Sequence, residues 1–124
     1  MEAYEPMIYS VGGEDHVLEI HIGGAMTKAG ILNLWDSVEH HSTYLDATAA
    51  FVSLRPGLCW NVEDSEISEL ANMSRRFKPL RWAIFAPDQL SYGMSRMFAA
   101  QVDNEKDYGV FRDDAAAREW ISSR

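Results

Sequence analysis

Residues 80–98 read LRWAIFAPDQLSYGMSRMF, an apolar run, a Pro-Asp turn and a helical pattern in succession. The first seven residues, LRWAIFA, are almost continuously apolar. A strand covered on both faces has that character, whereas a strand with one wet face alternates. Pro87 and Asp88 follow. Proline has no N–H to offer a ladder, and Asp is a good N-cap because its carboxylate accepts an unpaired N–H of the first helical turn. A helix is therefore predicted from Asp88 onward, with Leu90, Met94, Met97, Phe98 and Val102 as its inward stripe. A buried strand, a tight turn and a helix make half of a βαβ unit, which points to a parallel sheet.

Within this helix, Gly93 costs about 1 kcal/mol relative to Ala. Close packing of the backbone against a neighbour is the expected reason; room for a ligand is the rival. Tyr92 and Arg96 stand one turn apart beside the apolar stripe. Both types combine apolar area with polar reach, so the pair is predicted to mark an exposed recognition surface.

Outward from this stretch the same grammar repeats. DYGVF (107–111) reads as a last strand, and RDDAAAREWI (112–121) as a last helix capped by Asp113, with Ala117, Trp120 and Ile121 inward. Upstream, AAFVSL (49–54) is a short strand broken by Pro56 and Gly57. A helix follows from about Asp64 or Ser65, with Ile67, Leu70, Ala71 and Phe77 inward. EPMIYSV (5–11) and HVLEIHI (16–22) read as a hairpin turning through Gly12, Gly13, Glu14 and Asp15. In its second strand Leu18, Ile20 and Ile22 share one face, and Glu19 and His21 the other. Thr27 caps a helix whose apolar positions are Ile31, Leu34, Trp35 and Val38. The order is β-β-α-β-α-β-α-β-α. It predicts an α/β protein with a mixed, mostly parallel sheet of four or five strands and about four helices, residues 1–124 forming one domain.

RWAIFAPDQLSYGMSRMFAAQV followed by YGVFRDDAAAREWI resembles the SpoIIAA-like family of small bacterial proteins with a STAS-type fold. The resemblance rests on Pro87-Asp88, Tyr92-Gly93, Arg96-Met97-Phe98, Phe111-Arg112-Asp113 and Ala117 to Trp120, and it is strong over about residues 80 to 122. It implies a mixed sheet of four to five strands with helices packed on it. Relatives with this fold include phosphorylation-controlled anti-sigma antagonists, and similar topology occurs in lipid-binding CRAL-TRIO domains. The resemblance implies no catalytic residues. Antagonists of that kind carry an Asp-Ser-Ser-Gly-like turn directly after their third strand; here RPGLCWNVEDSEIS intervenes, and Asp64-Ser65 lacks the glycine.

Composition narrows the function further. Asp and Glu outnumber Lys and Arg by 19 to 11, a net charge of -8. Such a surface repels nucleic acid and anionic membranes, so neither is expected as a partner. Arg75, Arg76 and Lys78 come nearest to a basic patch. No run approaches 18 apolar residues and no signal peptide is visible, so a cytoplasmic protein without an integral membrane segment is expected. Cys59 is the only cysteine, is unsupported by any redox motif, and is expected as buried filler.

Ser65 is the one candidate phosphorylation site, and it is expected to be a helix N-cap instead, because Glu63, Asp64, Glu66 and Glu69 would repel a phosphate. His40 and His41 with Asp36 and Glu39 suggest metal, but adjacent helical residues diverge by about 100° and too few ligands converge. No metal or other cofactor is expected. Ser91, Ser95 and the histidines show no nucleophile motif, and the Gly pairs at 12-13 and 23-24 lack phosphate-loop spacing. The expected function is a non-enzymatic binding or regulatory module of the SpoIIAA-like type, acting on a protein partner or a small apolar ligand; a homodimer is compatible with it. The alternative is a lipid or hydrophobic-ligand carrier of CRAL-TRIO-like character, and an enzyme ranks third.

Overall fold

The computed structural model describes residues 6–102 and 107–123. Seven strands and four α-helices alternate along it. The hairpin is β1 (Ile8–Glu14) and β2 (Val17–Gly23), followed by the two-residue β3 (Ala25–Met26) and α1 (Lys28–Glu39). Next come β4 (Ala49–Leu54), the two-residue β5 (Cys59–Trp60) and α2 (Asp64–Met73). The chain ends with β6 (Arg81–Phe85), α3 (Gln89–Gln101), β7 (Tyr108–Phe111) and α4 (Asp114–Ser122).

The main sheet has the order β1-β2-β4-β6-β7, with β1 antiparallel to β2 and the other neighbours parallel. Each parallel strand is added on the far side of the previous one. Crossovers of one hand then fall on one face, so α1, α2 and α3 share a side of the sheet. The last helix, α4, packs on the opposite side, against β4, β6 and β7. Period-two alternation divides the strands between the two layers. Leu18, Ile20, Ile22, Ala50, Leu54, Trp82 and Ile84 join the core under α1–α3. Phe51 and Ala83 meet Ala117 of α4, with Phe85, Phe111, Trp120 and Ile121 around them. LRWAIFA is thus an interior strand covered on both faces, which is why its polar positions disappear.

The helix on the first crossover follows its sequence closely. Thr27 Oγ1 accepts from the Gly30 N–H at 3.0 Å, and Ile31, Leu34, Trp35 and Val38 are its buried residues. The hairpin differs from expectation. Its two-residue turn is Asp15-His16, both with positive φ (54° and 67°), the pattern of a type I′ turn. His16 is held there by tertiary contacts: Thr48 N–H donates to its carbonyl at 2.8 Å, and its ring Nδ1 lies 3.1 Å from Asp46 O. Gly12 and Gly13 lie inside β1. A Cβ at Gly13 would come within 2.6 Å of the Thr43 side chain, so that glycine serves close approach and not the turn.

Ser65 is not an N-cap. Glu63 holds that position in a reciprocal capping box with Glu66, whose Oε1 accepts from the Glu63 N–H at 3.0 Å. Ser65 is an exposed first-turn residue. Cys59 is exposed as well, not buried filler: it occupies the outward position of β5 while Trp60 turns inward.

Candidate functional site

Beneath α1–α3, five aromatic rings close a circuit. Trp35 meets Phe77 with centroids 5.3 Å apart, and Phe77 meets Trp82 at 5.3 Å. Trp82 stacks on Tyr108 at 5.9 Å with 6° between planes. Tyr108 meets Phe98 edge-on at 5.9 Å, and Phe98 returns to Trp35 at 6.4 Å. The five rings come from α1, the segment after α2, β6, β7 and α3. Such separations are those of favourable edge-to-face and offset pairs. An apolar cavity of about 110 Å³ is lined by all five.

Aliphatic residues complete the wall: Ile20, Val52 and Ile84 from the sheet, Leu34, Ile67 and Leu70 from the helices. Ser95 and Tyr108 bring the hydroxyls. No Asp, Glu, Lys, Arg or His lines the cavity among the described residues. Burial pushes the Tyr108 phenol up to about 12, while a hydroxyl contact from Ser74 acts the other way. The site therefore offers shape and dispersion contacts with a neutral phenol.

At the end of the cavity nearest the carboxyl ends of the parallel strands, β3 and β5 pair in parallel with Met26 opposite Trp60, and both line the cavity. Trp60 is only partly buried, so its indole stands between cavity and solvent. Its Nε1 donates to Ser91 Oγ at 2.8 Å, and Ser91 Oγ in turn donates to Asp88 Oδ2 at 3.2 Å. Asp88 caps α3 by accepting from the Ser91 N–H at 2.8 Å, and it also accepts from the Gly57 N–H at 3.2 Å. The Ser91 N–H is the main reason the Asp88 carboxyl is held below its ordinary range, with Gly57, the Ser91 hydroxyl and the charge of Arg112 adding to it against a desolvation cost. One carboxylate thus ties the β4–β5 loop to the start of α3.

The predicted inward stripe of α3 holds only in part: Val102 is buried, and Met94 and Phe98 line the cavity. Ser91, Ser95 and Ala99 are its buried residues; Leu90 is 58% and Met97 37% exposed, and Met94 and Phe98 are half-buried. Small side chains at these three positions, one turn apart, let the helix sit close to the sheet, and the Ser91 hydroxyl is satisfied by the bonds just described. Gly93 faces solvent, and a Cβ there would meet nothing within 4 Å. Close packing is therefore not its reason.

Tyr92 and Arg96 do not line the cavity. Arg96 is exposed and donates to Tyr92 Oη at 3.1 Å, its guanidinium 5.7 Å from the ring centroid. Arg112 lies at 5.7 Å from the same ring and donates to Pro87 O at 3.3 Å. Tyr92 itself is half-buried against the core. Sequence reasoning missed Arg112 and Trp60, whose roles depend on loops brought together from distant strands.

The remaining candidates have local duties. His40 Nδ1 lies 2.8 Å from Asp36 O, and His41 Nδ1 accepts from Thr43 N–H at 3.1 Å. Arg76 bonds Asp36 and Glu39 of α1. Lys78 donates to Leu45 O at 2.8 Å. These contacts tie Arg76 and Lys78 of the expected basic patch to neighbouring elements. No helix among the described residues is long and apolar enough to cross a membrane.

No family model matches the sequence, and no curated protein matches it. A solved structure is similar: an uncharacterized protein from the DUF3478 family with a SpoIIAA-like fold, from Shewanella loihica PV-4. Its TM-score is 0.56 at 13% identity, over 98% of this chain and 97% of that chain. With the strand order and helix layers described above, that likeness establishes an α/β SpoIIAA-like, STAS-type fold for this chain.

Proposed function

We propose that the chain is a non-enzymatic binding module whose ligand is a small apolar molecule held in the aromatic-lined cavity. The observation that carries this reading is an apolar cavity of about 110 Å³ lined by five rings in mutual contact. Apolar cavities of about 150 Å³ stay dry and take up benzene or xenon. The present volume suits one six-membered ring with slight adjustment of its partly buried walls. Ligand sites for larger molecules span about 300–1,000 Å³, so a carrier of long-chain lipid would need α1–α3 to move outward. Among the described residues the wall holds no nucleophile paired with a base, which supports binding over catalysis.

Titration with benzene, followed by methyl NMR, tests this reading. Shifts confined to Ile20, Val52, Leu70 and Ile84, with a rise in Tm, are expected. No shift at saturation, or shifts scattered over the surface, would reject it.

A contact with a protein is the second reading. It is favoured by Leu90 and Met97, 58% and 37% exposed on α3 with Gly93 between them. Sedimentation should then show a dimer that Leu90→Glu abolishes; a wild-type monomer at all concentrations would leave self-association without support.

A further inference from the structure

We infer that Trp60 is the size-selecting wall of the cavity: it limits the ligand to a single ring, and its position is fixed by Ser91 and Asp88. This rests on the cavity reading above. Trp60 is the lining residue that is both partly exposed and bonded through its side chain to the start of α3. It sits on a two-residue strand whose ladder partner among the described residues is β3: Cys59 N–H donates to Gly24 O at 3.0 Å and Asn61 N–H to Met26 O at 2.9 Å. So short a strand has little stiffness of its own. The indole is instead aimed by its 2.8 Å bond to Ser91 Oγ, and Ser91 is aimed by Asp88. The opposite end of the cavity is closed by Trp82 and Tyr108, stacked rings on two paired strands. Val52, Phe77, Met94, Phe98 and Tyr108 are partly exposed too, but Trp60 stands on the shortest strand and outside the circuit of contacting rings, so an enlarged ligand is expected to displace it first.

The chemistry of selection is steric. A fused two-ring hydrocarbon exceeds about 110 Å³ and must displace the indole, which breaks the Trp60–Ser91 bond and leaves a buried hydroxyl with one partner fewer. A single ring leaves the bond intact.

Benzene and naphthalene serve as probes, with affinities read by NMR titration and thermal shift. The wild-type protein is expected to bind benzene and to bind naphthalene more weakly than benzene. Trp60→Leu should keep benzene binding and bind naphthalene about ten-fold or more tightly than wild type, a gain of about 1.4 kcal/mol. Trp60→Phe, which keeps one ring in the wall, should gain less than Trp60→Leu. Ser91→Ala frees the indole without deleting it and should fall between wild type and Trp60→Leu. If Trp60→Leu proves unfolded, Ser91→Ala and Trp60→Phe carry the comparison by themselves. Benzene binding with no gain for naphthalene in the folded variants would overturn the role of Trp60 and leave the cavity reading standing. Loss of benzene binding by the wild-type protein would overturn both.

Discussion

A phenol stacked on Trp82 and shielded from water resists ionisation, and Tyr108 is held up to about 12 against an ordinary value of 10.0, chiefly by burial. The folded state then keeps the proton more tightly than the unfolded chain. Its contribution is complete below pH 10, falls as pH rises from 10 to about 12, and is gone above that. Over this window the loss is on the order of 2 kcal/mol. Urea denaturation of wild type and Tyr108→Phe across pH 9–12 checks it: wild-type stability should fall more steeply, and parallel curves would place the hydroxyl in water. Asp88 works with the opposite sign. Its carboxyl is depressed, so its contribution is present above the ordinary value of 3.8 and is lost as pH falls through the lower folded-state value.

Among the elements, α3 gives the sharpest test. Gly93 is exposed on its outward face and nothing lies within 4 Å of a Cβ built there. Gly93→Ala should therefore stabilise the protein by about 0.5–1 kcal/mol through helix propensity. Chemical denaturation that showed a loss instead would mean that the backbone at 93 packs closely after all. The start of this helix was legible. Asp88 after Pro87 fixed its start, and the acceptance of the Ser91 N–H by Asp88 is the bond that such a cap makes. Its inward face was legible only in part: Met94 and Phe98 line the cavity and Val102 is buried, but Leu90 and Met97 are exposed, because the rule that large apolar residues point inward fails where Ser91, Ser95 and Ala99 let a helix approach a sheet closely. In α1 the same rule worked, since the buried residues there are the large apolar ones. For α2, reading Ser or Asp as the cap missed Glu63, a type seldom used alone but effective when Glu66 reciprocates.

At the scale of the molecule, the order of strands and helices could be read because each parallel strand announced itself by a continuous or alternating apolar run and α1, α3 and α4 by their caps Thr27, Asp88 and Asp113. The cavity could not. Its five rings belong to five separate segments, spaced by nothing that a sequence period records, and β3 and β5 are too short to leave a pattern. What the assembled rings imply is a trade between stability and occupancy, and Val52 tests it. Val52 lines the cavity from the middle of the sheet, flanked by Ile20 and Ile84 in register. Val52→Ile keeps the β-branched shape and extends one methylene into the space. A methylene buried without strain contributes about 0.8 kcal/mol. Stability should rise by about that amount, and benzene affinity should fall, because the added carbon takes volume the ligand needs. Overpacking of a core that is already full costs about 1–3 kcal/mol instead. Thermal unfolding with and without benzene separates the two: a stabilised variant that no longer responds to the probe is expected, and a destabilised one would mean that the rings already fill the space between them.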